Sequence, residues 1–144
     1  MAGLHAFDAH VPRRRRGREA REEAWRRHGT CAWGGMQTSH LQPLLEFAVG
    51  VVRRARPVAQ RCDRSLADQL RRSVNSVVLN LAEAGGSDPG NRRARLATAR
   101  GSAFEARAAI QLAAAWGYID DDLATSLDRD LDRLSARLYG LART

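Results

Sequence analysis

The chain has no lysine: all 24 basic residues are arginine, against 16 acids, for a formal net charge of +8 over 144 residues. That bias reflects a GC-rich coding sequence as much as selection for guanidinium chemistry. Cysteine is almost missing. Cys31 and Cys62 show no metal-ligand spacing, which excludes a disulfide scaffold and fits a reducing, cytoplasmic setting. No apolar run reaches the roughly 18 residues that a membrane span needs, and no apolar h-region of a secretory signal opens the chain. Histidine is scarce and badly placed for chemistry. His5, His10, His28 and His40 all precede the periodic part of the chain or stand at its entry. A di-iron carboxylate bundle requires Glu-x-x-His motifs, but Glu46, Glu83 and Glu105 are followed three residues on by Val49, Gly86 and Ala108. A histidine-based triad would need a residue from the leading segment. There is no P-loop and no glycine-rich cradle after a strand. The expectation is a protein that is not an enzyme and carries no metal and no cofactor.

What remains is length for one domain with a sizeable core and an uneven charge. Residues 1–35 hold 8 Arg and 4 acids, whereas residues 36–144 hold 16 Arg and 12 acids. Each part is net +4, so the longer part is only mildly basic per residue. Residues 1–36 are Arg- and Gly-rich without a sustained apolar stripe, and are expected to form a flexible extension before a domain over 37–144. This extension reads as a basic arm for phosphate or as a disordered leader; a further alternative is that translation starts at Met36.

From Leu41 onward four segments carry apolar residues at spacings of three and four, the signature of helices with one buried face. The first is expected from Ser39 to Ala55, with Leu41, Leu44, Leu45, Ala48, Val51, Val52 and Ala55 inward and Pro57 just beyond its end. The second is expected from Ser65 to Ala84, capped by Ser65 with Asp68 three residues on. Its stripe is Leu66, Leu70, Val74, Val77, Leu81 and Ala84, and Gly85-Gly86 closes it through a left-handed turn. The third follows Ser87-Asp88-Pro89, either polar residue capping and proline taking the first turn. Its stripe is Leu96, Ala99, Ala103, Ala106, Ile110 and Ala113, and it ends at Gly117. The fourth opens on Asp120 to Asp122, whose charge suits a helix N-terminus, and buries Leu123, Leu127, Leu131, Leu134, Leu138 and Leu141. No strand pattern competes. Long helices with short connections imply an all-α, antiparallel up-down four-helix bundle.

Two polar sets stand out on this frame. Asn80 and Glu83 share a face of the second helix, and Ser102 and Glu105 repeat that spacing on the third. The four are expected to meet as one structural polar network; the alternative is a small-molecule or ion site. Arg93, Arg100 and Arg107 recur every seven residues beside the apolar stripe. With Arg92, and with Arg71 and Arg72 on the second helix, they form a candidate ridge for a phosphate backbone. The opposing reading is ion pairing with acids that flank the fourth stripe, such as Asp128 and Asp130. Phe104, Trp116, Tyr118 and Tyr139 are expected to pack at helix ends or between subunits rather than stack bases.

The run Ser76-Val-Val-Leu-Asn80-Leu-Ala-Glu83 resembles the first signature of the 23S rRNA-intervening sequence protein family, with Arg72 at the arginine that precedes it. Ala97 to Ile119 resembles the second, through Ala99, Gly101, Ser102, Glu105 and Gly117-Tyr118. Pro57 and the run from Leu66 through Gln69 to Leu70 also fit, so the resemblance spans Leu41 to Leu141. Ala84 stands where the family has glycine, and Arg92, Arg93 and Ala94 replace the usual aromatics. The resemblance implies a bacterial four-helix bundle assembled as a homopentamer. It also implies kinship in fold with the accessory variability protein of diversity-generating retroelements, a basic pentamer that binds nucleic acid. Two functions are therefore expected to compete. One is a non-catalytic oligomer that binds RNA or single strands through arginine–phosphate contacts. The other is a protein–protein interaction scaffold with no nucleic-acid role.

Overall fold

A computed structural model describes residues 41–143, and within them the chain forms four helices and no strand. The expected extension, residues 1–36, lies outside the described residues. Helix α1 spans Gln42–Arg61, α2 Arg64–Gly85, α3 Pro89–Ala115 and α4 Asp121–Arg143. Each packs on its neighbours in sequence, and α1 closes the ring against α4. The cross-links run in opposite senses along α3 and its partners. Going up α3, Arg95 meets Glu83 and Ser102 meets Ser76; Arg100 meets Tyr139 and Arg107 meets Asp128. Neighbouring helices are thus antiparallel.

The apolar stripes build a core of two stacked clusters. One gathers Val51, Val58, Leu70, Ile110, Ile119, Leu127 and Leu131 near the α1–α2 and α3–α4 corners. The other gathers Leu44, Val77, Leu81, Leu96, Leu134 and Leu138 toward the opposite end. A fully buried leucine of this kind contributes roughly 1.5–3 kcal/mol. On α3 the inward positions Ala99, Ala103, Ala106 and Ala113 are sealed from solvent, so its backbone runs close to both neighbours. Leu45, Val52, Leu66, Leu123 and Leu141 are half-buried at the edges of the stripes rather than inside.

Helix ends differ from the sequence expectation at three places. Helix α1 does not stop before Pro57 but runs through it to Arg61. Proline inside a helix lacks the N–H and costs about 3 kcal/mol. Here the turns beyond it carry Val58 and Ala59, both buried in the first cluster, and their burial offsets that cost. Helix α2 is capped by Asp63, not Ser65: the Asp63 carboxylate accepts the Leu66 N–H at 3.0 Å, and that bond holds its pKa below the usual carboxylate range. The end of α2 needs no left-handed glycine, because Gly86 has φ −101°. Elsewhere the expectation stands. Asp88 caps α3, accepting from Gly90 and Asn91, with Pro89 in its first turn. Asp120 accepts the Leu123 N–H at 2.8 Å at the head of α4. Gly117 has φ +74° and lets its own N–H and that of Tyr118 turn back to Ala114 and Ala113 at 2.8 and 2.9 Å, the left-handed closure that glycine favours.

Candidate functional site

The polar set on α2 and α3 comes together only in part. Ser76 on α2 and Ser102 on α3 share a hydroxyl–hydroxyl hydrogen bond of 2.8 Å across the helix pair. Asn80 turns its amide N–H back to the Ser76 carbonyl at 2.9 Å and to its hydroxyl at 3.2 Å. Arg95 of α3 then reaches across, donating to the Asn80 carbonyl at 3.4 Å and pairing with Glu83 at 2.9 Å. The chain of contacts is therefore Glu83, Arg95, Asn80, Ser76 and Ser102. Glu105 stands outside it and accepts from Gln69 at 3.3 Å. Glu83 and Glu105 are both exposed, so neither is the buried carboxylate that a ligand site would use. Ser76 and Arg95 were missing from the sequence expectation. The signal for Arg95 was its place twelve residues beyond Glu83 across a short antiparallel turn.

The arginines divide by environment. Arg107 lies between α3 and α4 and is clasped by two carboxylates. Its Nε and one terminal nitrogen donate to Asp128 at 2.8 and 3.0 Å, and the other terminal nitrogen to Asp132 at 2.6 Å. These hydrogen bonds push the Arg107 pKa up and hold Asp128 below its ordinary range. The ion-pairing reading is right for Arg107 and Asp128. Asp130 instead pairs with Arg54 of α1, which also donates to Ser126 at 2.7 Å. Arg71 pairs with Asp68 at 3.2 Å and Arg72 donates to Gln69 at 3.2 Å, both within α2, on a different helix from the rest of the ridge.

Arg100 has no carboxylate in reach among the described residues. Its guanidinium lies 5.2 Å from the Phe104 ring centre and 4.7 Å from that of Tyr139, and its Nε is buried without a hydrogen-bond partner among the described residues. Arg107 lies 5.9 Å from Phe104 on the other flank, and Arg143 5.3 Å from Tyr139. Arg143 also donates to the Tyr139 hydroxyl at 2.6 Å. The groove between α3 and α4 thus carries an alternating row: Arg107, Phe104, Arg100, Tyr139, Arg143. Attraction of a cation to a ring face within about 6 Å accounts for the alternation. Toward the same end of the bundle, Arg92 and Arg93 line a cleft of about 260 Å³ with Ser87, Pro89, Leu141 and Ala142. From Arg93 to Arg107 the basic strip runs about 20 Å along α3 at 1.5 Å per residue. Arg143 was missed in the sequence because it lies on α4, two residues past the last leucine, outside any heptad repeat of α3.

The aromatics expected at helix ends also divide. Tyr118 is half-buried and its hydroxyl donates to Asp63 at 3.2 Å, tying the α3–α4 corner to the α1–α2 corner. Phe104 and Tyr139 lie within helices and are each 45% exposed. Leu112 and Trp116 continue from Phe104 in four-residue steps, which carries them round the helix away from α4. They are 49% and 70% exposed, and Leu79 on α2 is 60% exposed.

Among the described residues no group of three His, Cys, Asp or Glu could hold a metal ion, and no helix is long and apolar enough to cross a membrane. No curated protein and no solved structure matches the chain. A family model does match, over residues 39–140, which covers nearly all of the four helices and both signature runs. The chain belongs to the 23S rRNA-intervening sequence protein family.

Proposed function

We propose that the protein is a non-catalytic homo-oligomer that binds nucleic acid, RNA or single strands, through arginine–phosphate contacts. The observation that carries this is the basic strip on α3, from Arg92 and Arg93 at the cleft to Arg100 in the α3–α4 groove. Among the described residues Arg100 has no acid beside it, and Arg93 is exposed. Guanidinium groups left without carboxylates are the ones that release counterions on binding phosphate. Arg107, already neutralised by Asp128 and Asp132, adds less, and Arg71 is partly neutralised by Asp68.

Binding of a single-stranded RNA by the full chain, measured against salt, tests the reading. Affinity should fall steeply with salt, with a slope of about −0.7 per phosphate contact. Flat salt dependence, or no retention of RNA at low salt, overturns it.

A second reading, a protein-interaction scaffold, is favoured by one feature. The C-terminal part of α3 carries apolar residues on its outer side too, with Ala108, Leu112, Ala115 and Trp116 exposed, and such a contiguous exposed apolar stretch marks a surface that another chain covers. Homo-oligomerisation uses the same surface in the proposal above. The count of five rests on the family resemblance alone. Mass by light scattering after nuclease treatment separates the two: an oligomer of this chain alone supports self-assembly, and stoichiometric co-purification of one other protein supports the scaffold.

A further inference from the structure

Phe104 and Tyr139 are not needed by the core. Neither belongs to its two buried clusters, and each leaves nearly half its surface in water. A leucine at either position would serve the bundle equally well. What the rings do have is a fixed spacing across one cation. Arg100 stands between them at 5.2 and 4.7 Å, held from α3 against rings on α3 and α4. Burial of its Nε leaves the terminal nitrogens as the part that can meet a ligand. At the outer end Arg143 is exposed on the last turn of α4 and rests on Tyr139. Among the described residues, Arg100 and Arg143 have no acid within ion-pair distance, unlike Arg107.

We propose that Phe104 and Tyr139 are stacking platforms for the bases of a single strand, with Arg100 and Arg143 taking its phosphates. This rests on the nucleic-acid reading above and narrows its ligand. Every base has a π-face, so aromatic platforms interleaved with cations bind single strands with little regard to sequence. A base arriving on Tyr139 displaces the exposed Arg143 guanidinium, whose long side chain swings to the adjoining phosphate. A strand that lays one base on each ring carries the linking phosphate past Arg100. A duplex keeps its bases stacked on one another and cannot use the rings, so it is left with the phosphate contacts alone.

The test compares a single-stranded RNA, a duplex RNA of equal phosphate number and heparin, each binding the full chain at several salt concentrations. Phe104→Leu and Tyr139→Leu preserve apolar volume at exposed sites; Phe104→Tyr preserves the ring. The expected result is tighter binding of the single strand than of the duplex, and a loss of roughly tenfold in single-strand affinity for each leucine variant. The salt slope should be unchanged, duplex and heparin binding equal to wild type, and Phe104→Tyr close to wild type. Arg100→Gln and Arg143→Gln should each lower the salt slope by a fraction of a unit. Equal affinity for single strand and duplex, with leucine variants that bind like wild type, overturns the platforms while leaving the arginine–phosphate reading in place. Failure of all three polyanions to bind at low salt overturns both. Leucine variants that break the oligomer in light scattering but leave RNA affinity intact would make the rings subunit contacts, and that too overturns the proposal.

Discussion

The clasp of Arg107 offers a quantitative test of how the α3–α4 groove is held. Its perturbation is a double-mutant cycle of Arg107→Ala, Asp128→Ala and the pair. The Arg107 and Asp128 side chains are 23% and 27% exposed, so the pair lies between the surface case, worth about 0–1 kcal/mol, and a fully buried one. Two hydrogen bonds at 2.8 and 3.0 Å in fork geometry place the coupling at the upper end, about 1 kcal/mol. Asp132, 63% exposed at its side chain, adds at most a few tenths of a kcal/mol. Arg107→Ala also removes packing on Phe104, so its total cost is about 2 kcal/mol, or roughly 8–10 °C in Tm for a domain of this size. The assay is denaturant unfolding followed by helical circular dichroism at fixed protein concentration, at neutral pH and in acid. The sign of the pH effect follows from Asp128, whose pKa is lowered in the folded state. Its stabilisation is fully present above the ordinary carboxylate value and is lost as pH falls through the folded value. A coupling below about 0.3 kcal/mol at neutral pH, or one that survives unchanged in strong acid, would refute this account of the groove.

Four further substitutions probe the fold. Ser135 is buried with its hydroxyl unpartnered among the described residues, so Ser135→Ala should raise stability by about 1 kcal/mol, read as a higher Tm. Leu134→Ala, at a site 1% exposed in the second cluster, should cost about 3 kcal/mol in denaturant unfolding. Gly117→Ala meets no steric neighbour but must adopt φ +74°, so it should cost about 1 kcal/mol by the same measurement. Pro57→Ala supplies the N–H that the ring lacks within α1 and should raise the thermal midpoint, by up to about 3 kcal/mol in stability.

The four helices were legible because their stripes are long and regular, and periodicity depends on nothing beyond the helix itself. Legibility ended where two helices had to be matched. Pro57 looked like a terminator, since local chemistry disfavours it inside a helix; only burial of Val58 and Ala59 in the first core cluster overrules that. Ser65 looked like the cap because the capping-box spacing fitted, but Asp63, two residues earlier, takes the Leu66 N–H. The network at Asn80 was foreseen as a meeting of like spacings, and the register of α2 on α3 instead delivers Ser76 and Arg95 while carrying Glu105 to Gln69. The ridge was visible as a seven-residue repeat. The rings that alternate with it were not, because Tyr139 and Arg143 come from α4 and only the α3–α4 register sets them beside Arg100.

The line of alanines inside α3 has a consequence for how this sequence can drift. At Ala99, Ala103, Ala106 and Ala113 the side chain is already one carbon. Any substitution but glycine must push two neighbouring helices apart, at about 1–3 kcal/mol for each added branch, and glycine loosens the helix by about 1 kcal/mol. Change is therefore costly in both directions along the seam, whereas the leucines of α4 can trade shape among themselves. Mutational scanning should find α3 the least permissive helix at its inner positions, although its side chains there are the smallest in the bundle.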